Sequence, residues 1–150
     1  MGTKSVIIVY DKSGVKKVSQ YSQWDGYASG QGLIILYFLK DKDKLNKLIS
    51  NLDKIVDNGM ISDDPIILRK YHRRDIGGDI LNRIAFSDDE VIPLYLFDIE
   101  NHNNDILIEY IYIIDLLHNT FSVRRDFFGN DLVVYSLEDL PDDIQFVEEV

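Results

Sequence analysis

Cysteine is absent from the 150-residue chain. That one absence removes a disulfide framework, cysteine-ligated zinc, a thiol nucleophile and iron–sulfur chemistry together. It leaves the chain indifferent to redox compartment, with cytoplasm as the expected location. Basic residues are in deficit, since 16 Lys and Arg face 26 Asp and Glu for a formal charge of −10. Such a balance argues against sequence-independent binding to DNA, RNA or anionic membrane, where neutralisation of phosphates by Lys and Arg dominates. It leaves a protein partner with a basic surface open. No apolar run approaches the ~20 residues of a membrane span, and Met1–Ser5 lead straight into a strand-like segment, so no signal peptide is expected. Catalytic signatures are missing too: there is no His-Glu-x-x-His pair and no Gly-x-Ser-x-Gly elbow. His72, His102 and His118 stand far apart, so neither a metal nor a cofactor is expected.

What is present is the composition of a globular domain, 45% hydrophobic and 28% charged. Val6–Tyr10 is a β-branched run that suits a strand covered on both faces. Asp11–Gly14 reads as a turn, and Val15–Trp24 as the return strand of a hairpin. Asp25–Gly32 holds three glycines in eight residues, which makes it a loop. Leu33–Leu39 then reads as a buried helix. Over residues 42–57 the positions Leu45, Leu48, Ile49, Leu52, Ile55 and Val56 form one apolar helical stripe, capped by Asp41 or Asp43 and stopped by Asn58–Gly59. Residues 60–74 read as irregular, and a shorter helix is predicted from Asp75 or Gly78 to Phe86. Leu94–Ile99 fits a strand or a short helix, and residues 101–105 a loop. Leu107–Leu117 and Thr120–Arg125 form a second hairpin about His118–Asn119, with Leu132–Tyr135 as one more strand. Ser136–Asp139 has the Ser-x-x-Asp form of a helix cap closing the chain. The expected architecture is therefore α+β in one domain over residues 1–150: an antiparallel sheet of two hairpins plus an extra strand, with two to three helices inserted between them.

Three regions are candidates for function. Gln23, Trp24, Asp25, Tyr27 and Gln31 place amides, an indole, a carboxylate and a phenol around the glycine-rich loop, the kind of side chains that line small-ligand pockets. Burial near Trp24 would raise the Asp25 pKa and suit it to act as a base. In the plainer reading Trp24 fills the core and Asp25 caps the turn. Arg73 and Arg74 belong to a basic island, Arg69–Arg74, suited to a phosphate or an acidic segment, or simply to pairing with the chain's own carboxylates. Asp139, Asp142 and Asp143 head an acidic tail with no Lys or Arg after Arg125. Such tails solubilise, and when gathered on one face they also imitate a phosphate backbone.

The stretch Gln20-Tyr21-Ser22-Gln23-Trp24-Asp25-Gly26-Tyr27-Ala28-Ser29-Gly30-Gln31-Gly32 resembles the central motif of a family of small, uncharacterised proteins found in phages, bacteria and fungi. The opening Met1-Gly2-Thr3-Lys4 is similar to the family's Met-Gly-Thr-Arg. Arg74-Asp75-Ile76-Gly77-Gly78-Asp79-Ile80-Leu81, Tyr112–Leu116 and Ser136–Pro141 extend the likeness over nearly the whole chain. It departs at Lys4, usually Arg, and at Ala28, usually Pro. The resemblance implies one domain with its distinctive residues around the first hairpin and residues 23–32, and it carries no activity. Two functions stay open: a non-enzymatic binding protein, in phage context an antagonist of a host or defence complex, or a small-ligand binder or enzyme using Gln23–Gly32 as its pocket. The partner and the oligomeric state are not legible in the sequence.

Overall fold

Val6, Ile7, Ile8 and Val9 are all at most 4% exposed, so the first strand is buried on both faces, as its unbroken β-branched run requires. It belongs to a computed structural model that describes residues 2–100, 107–125 and 131–150. Strands β1 (Ser5–Tyr10) and β2 (Lys16–Ser22) form the first hairpin, while β5 (Tyr110–Asp115), β6 (Thr120–Arg125) and β7 (Asp131–Ser136) form a meander. The sheet order is β2-β1-β5-β6-β7. Three of its four junctions are antiparallel, but β1 and β5 run parallel. The expected antiparallel sheet thus contains one parallel junction, which the long helical connection between the hairpins permits.

The helices of that connection pack on one face of the sheet. Helices α1 (Leu33–Lys40), α2 (Lys42–Asn51) and α4 (Ile80–Ala85) bury Leu36, Leu39, Leu48 and Ile80 against Ile7, Val9, Tyr112 and Phe121. The closing helix α5 (Asp143–Glu149) adds Phe146 to the same core. A smaller cluster of Val6, Ile8, Tyr21, Ile108 and Ile111 covers the opposite face, with Phe97 and Ile99 packed against it. The α+β class and the helices between the hairpins agree with the sequence.

Several boundaries differ. The helix read over 42–57 ends at Asn51, and Ile55–Asp57 is strand β3, parallel to β4 (Ile92–Leu94). Asn51 is buried and donates to the carbonyls of Ile84 (2.7 Å) and Ala85 (3.2 Å), which fixes the helix end against α4. Gly59, at φ +74°, therefore turns the chain after a strand rather than after a helix. Residues 60–74 are not wholly irregular: Asp64 caps α3 (Pro65–Ile67), with Pro65 in the first turn, and a wider π turn runs over Leu68–His72. Beyond β4 the chain runs without regular structure to Asp98, bonded to the hairpin through Phe97 N–H and Ser19 O (2.8 Å). Ser136 does not cap the last helix; its Oγ accepts from Glu138 N–H, and Asp142 caps α5 through Gln145 N–H (2.7 Å). Pro141 disfavours helical backbone at the residue before it, so no helix continues from Ser136. The loop read over 101–105 and His102 lie outside the described residues.

Candidate functional site

The chain leaves β2 at Ser22 and must turn sharply to enter α1. Asp25 takes the left-handed conformation at φ +56°, so the residue that needs positive φ is the aspartate and not Gly26. Gly26 serves a different need: its N–H donates to Thr3 O (2.8 Å) and its carbonyl accepts from the buried Tyr112 hydroxyl (2.6 Å). Gln31 closes the turn from inside. Its Oε1 accepts from Gly78 N–H (2.7 Å), its Nε2 donates to Trp24 O (3.3 Å), and its backbone N–H donates to Asp25 O (2.8 Å). Gly77, at φ +55°, brings the backbone so close that a Cβ there would sit 2.4 Å from the Gln31 amide. Gln31 is thereby a buried brace between the loop and the entry to α4.

The remaining loop candidates separate. Asp25 and Tyr27 are both exposed and bond to each other, the Tyr27 hydroxyl donating to Asp25 Oδ1 at 3.0 Å. Asp25 is thus open to solvent and not buried against Trp24. Gln23 and Trp24 face elsewhere, into an open groove of about 520 Å³ that they line with Ile61, Leu68, His72, Arg73, Arg74 and Asp75. The groove exists because residues 73–74 run beside the end of β2: Gln23 N–H donates to Arg74 O (3.2 Å) and Gln20 Nε2 to Arg73 O (3.4 Å). Trp24 is 51% exposed, so it does not fill the core. Of the set Gln23, Asp25, Tyr27 and Arg74, this groove is lined by Gln23 and Arg74, and Asp25 and Tyr27 are not among its lining residues.

In the acidic tail, Asp142 caps α5, Asp143 Oδ2 accepts from the Tyr37 hydroxyl (3.3 Å), and Asp139 is exposed in the turn after β7. Asp143, Ile144, Val147 and Glu148 border an open depression of about 330 Å³ between α5 and Leu33 of α1.

One cluster was not singled out in the sequence. The Tyr71 hydroxyl lies 2.6 Å from Asp89 Oδ2 and 2.7 Å from Ser87 Oγ, and Lys70 Nζ is 3.2 Å from the same carboxylate. Burial, then the hydrogen bond to Asp89, pushes the Tyr71 phenol up to about 12. The bond from Tyr71, then the one from Lys70, holds the Asp89 carboxyl below its ordinary value. A phenol so raised stays protonated near neutrality, so this cluster braces the chain rather than supplying a base. Below pH ~10 the phenol is protonated whether the chain is folded or not, and its contribution to stability is complete. Above that the unfolded chain loses its proton first, and the contribution is lost by the time the folded phenol titrates near 12. The urea midpoint is thus expected to fall between pH 10 and 12, less steeply in Tyr71→Phe; an equal slope in the variant would contradict the assignment.

Among the described residues, no group of three His, Cys, Asp or Glu side chains is placed to hold a metal ion, and no helix is long and apolar enough to cross a membrane. Comparison with protein-family models, curated proteins and solved structures finds no match to this chain.

Proposed function

We propose that this is a non-enzymatic binding protein that engages a basic protein surface, and that in the phage setting its motif resembles it antagonises a host or defence complex. The observation that carries this reading is the face where α1 meets α5. Ile144 (69% exposed) and Val147 (39%) stand in solvent there with Asp143 and Glu148, and Tyr37 (52%) joins them through its bond to Asp143. Apolar side chains ringed by carboxylates match a partner segment that carries Arg and Lys around an apolar centre. The rest of the tail reinforces that sign, with no Lys or Arg after Arg125 and an overall charge of −10. Carboxylates at such a rim act mainly on the association rate and on the choice of partner.

The test is affinity capture from host lysate with the wild type and with a variant carrying Asp139→Asn, Asp142→Asn and Asp143→Asn, followed by binding kinetics with the captured protein. Asparagine caps a helix about as well as aspartate, so α5 is retained and stability should change by less than ~0.5 kcal/mol. The expected result is a basic partner, a slower association rate for the variant, and little change in dissociation. Equal rates for the two proteins would place the working surface elsewhere.

A further inference from the structure

We infer that the groove lined by Gln23, Trp24, Arg73 and Arg74 is a second binding site, for a small phosphate-bearing ligand with a planar ring, a mononucleotide being the simplest member of the class. This inference is independent of the basic partner, because it rests on a different surface and the opposite charge.

The anionic half of the ligand follows from the donors. Arg74 has no ion pair among the described residues, although acids outnumber bases in this chain by 26 to 16. Its guanidinium is held 5.6 Å from the centre of the Tyr21 ring, a cation–π contact that orients the group without neutralising it. Gln23 adds a second donor whose direction is fixed. The Tyr21 hydroxyl donates to Gln23 Oε1 at 2.6 Å, and burial raises the Tyr21 pKa, against the opposing charge of Arg74, so that hydroxyl keeps its proton. The amide is thereby oriented with its NH₂ unpartnered among the described residues. Arg73 is shared with Asp75, which balances the one carboxylate in the groove. His72 adds neither donor nor acceptor: Nδ1 accepts from Ser62 N–H (2.9 Å), so the ring proton sits on Nε2, which donates to Pro93 O (2.8 Å). A site with two open donors, one of them a planar guanidinium, suits a phosphate.

The planar half follows from Trp24. It is the only tryptophan, it is half exposed, and it rests on the backbone of Gly2, where a Cβ would lie 2.5 Å from its Cε3 atom. An indole supported by main chain at the mouth of a groove, with Ile61 and Leu68 as its apolar neighbours, offers a stacking surface beside the donors. The volume, about 520 Å³, lies in the range of small-molecule sites. The overall charge of −10 disfavours a long polyanion, which selects a single nucleotide over a nucleic-acid strand.

Titration of the intact protein with adenosine and guanosine 5′-monophosphates, followed by calorimetry and by Trp24 fluorescence, tests this. Saturable binding is expected, with adenosine alone and inorganic phosphate alone each weaker by about tenfold or more. Arg74→Ala and Trp24→Leu are each expected to weaken nucleotide binding by about tenfold or more. Arg74→Lys should fall between wild type and Ala, because it keeps the charge without the fork. Arg124→Ala, an exposed arginine outside the groove, and the triple Asn variant of the acidic tail should bind as the wild type does. Thermal melts of the same proteins separate loss of the site from loss of the fold. No saturable signal from either nucleotide would overturn the proposal, as would nucleotide binding by a folded Arg74→Ala protein as tight as by the wild type. Phosphate alone binding as tightly as the nucleotides would overturn the planar half.

Discussion

Phe121→Ala is expected to destabilise the protein by about 3–5 kcal/mol, close to the whole stability of many small domains. Phe121 is fully buried on β6 at the meeting point of the aromatic core, with ring centroids 6.5 Å from Tyr112, 6.4 Å from Tyr135 and 5.8 Å from Phe146. Truncation removes all three contacts at once. Two of the three neighbours cannot close the gap easily, because Tyr112 is anchored through its hydroxyl to Gly26 O and Phe146 to the short helix that Asp142 caps. Chemical denaturation of the purified variant measures the effect. A loss under about 1 kcal/mol would mean that the sheet and α5 are not packed as described.

Gly26→Val should destabilise by about 3 kcal/mol, the upper end of the range for overpacking. The reason is contact and not backbone conformation. A Cβ at residue 26 would sit 2.8 Å from Thr3 O, 2.9 Å from Ser5 Cβ and 3.0 Å from the Lys4 carbonyl carbon. Two of those three atoms are main chain of the segment leading into β1, which cannot rotate away as a side-chain end would. Moving it strains both the Gly26 N–H bond to Thr3 O and the Tyr112 bond to Gly26 O. Gly26→Ala should already show most of the loss, because the clash begins at Cβ. A silent Gly26→Ala variant would refute this packing.

The strands were readable because their side chains are self-sufficient signals. The β-branched run of Val6–Val9 and the alternation of Thr120–Arg125 each state their own burial. The end of α2 was not, because Ile55 and Val56 continue the helical stripe in register. They belong instead to a parallel pair whose partner, Ile92–Leu94, is distant in sequence, and Val56 ends 47% exposed. The same limit governs the candidate site. Gln23, Trp24, Arg73 and Arg74 could be named from their chemistry, but only the pairing of residues 73–74 with the end of β2 puts them in one groove and leaves Asp25 and Tyr27 outside it. Gln31, an amide beside glycines, has the chemistry of a ligand contact, but its bond to Gly78, a separation of 47 residues, is long-range and invisible locally. Tyr71, Ser87 and Asp89 gave no signal for a related reason. They sit in segments with no shared period, and Tyr71 read only as an aromatic within a basic island.

The acidic α1–α5 face is the proposed working surface, and salt tests it most directly. Once the basic partner has been captured, its affinity should be measured by calorimetry across a series of salt concentrations. Exposed charges are screened beyond ~8–10 Å near physiological ionic strength, so affinity should fall steadily as salt rises, and the Asp139, Asp142 and Asp143 triple Asn variant should show a shallower dependence. An affinity that does not change with salt, in wild type and variant alike, would contradict the account.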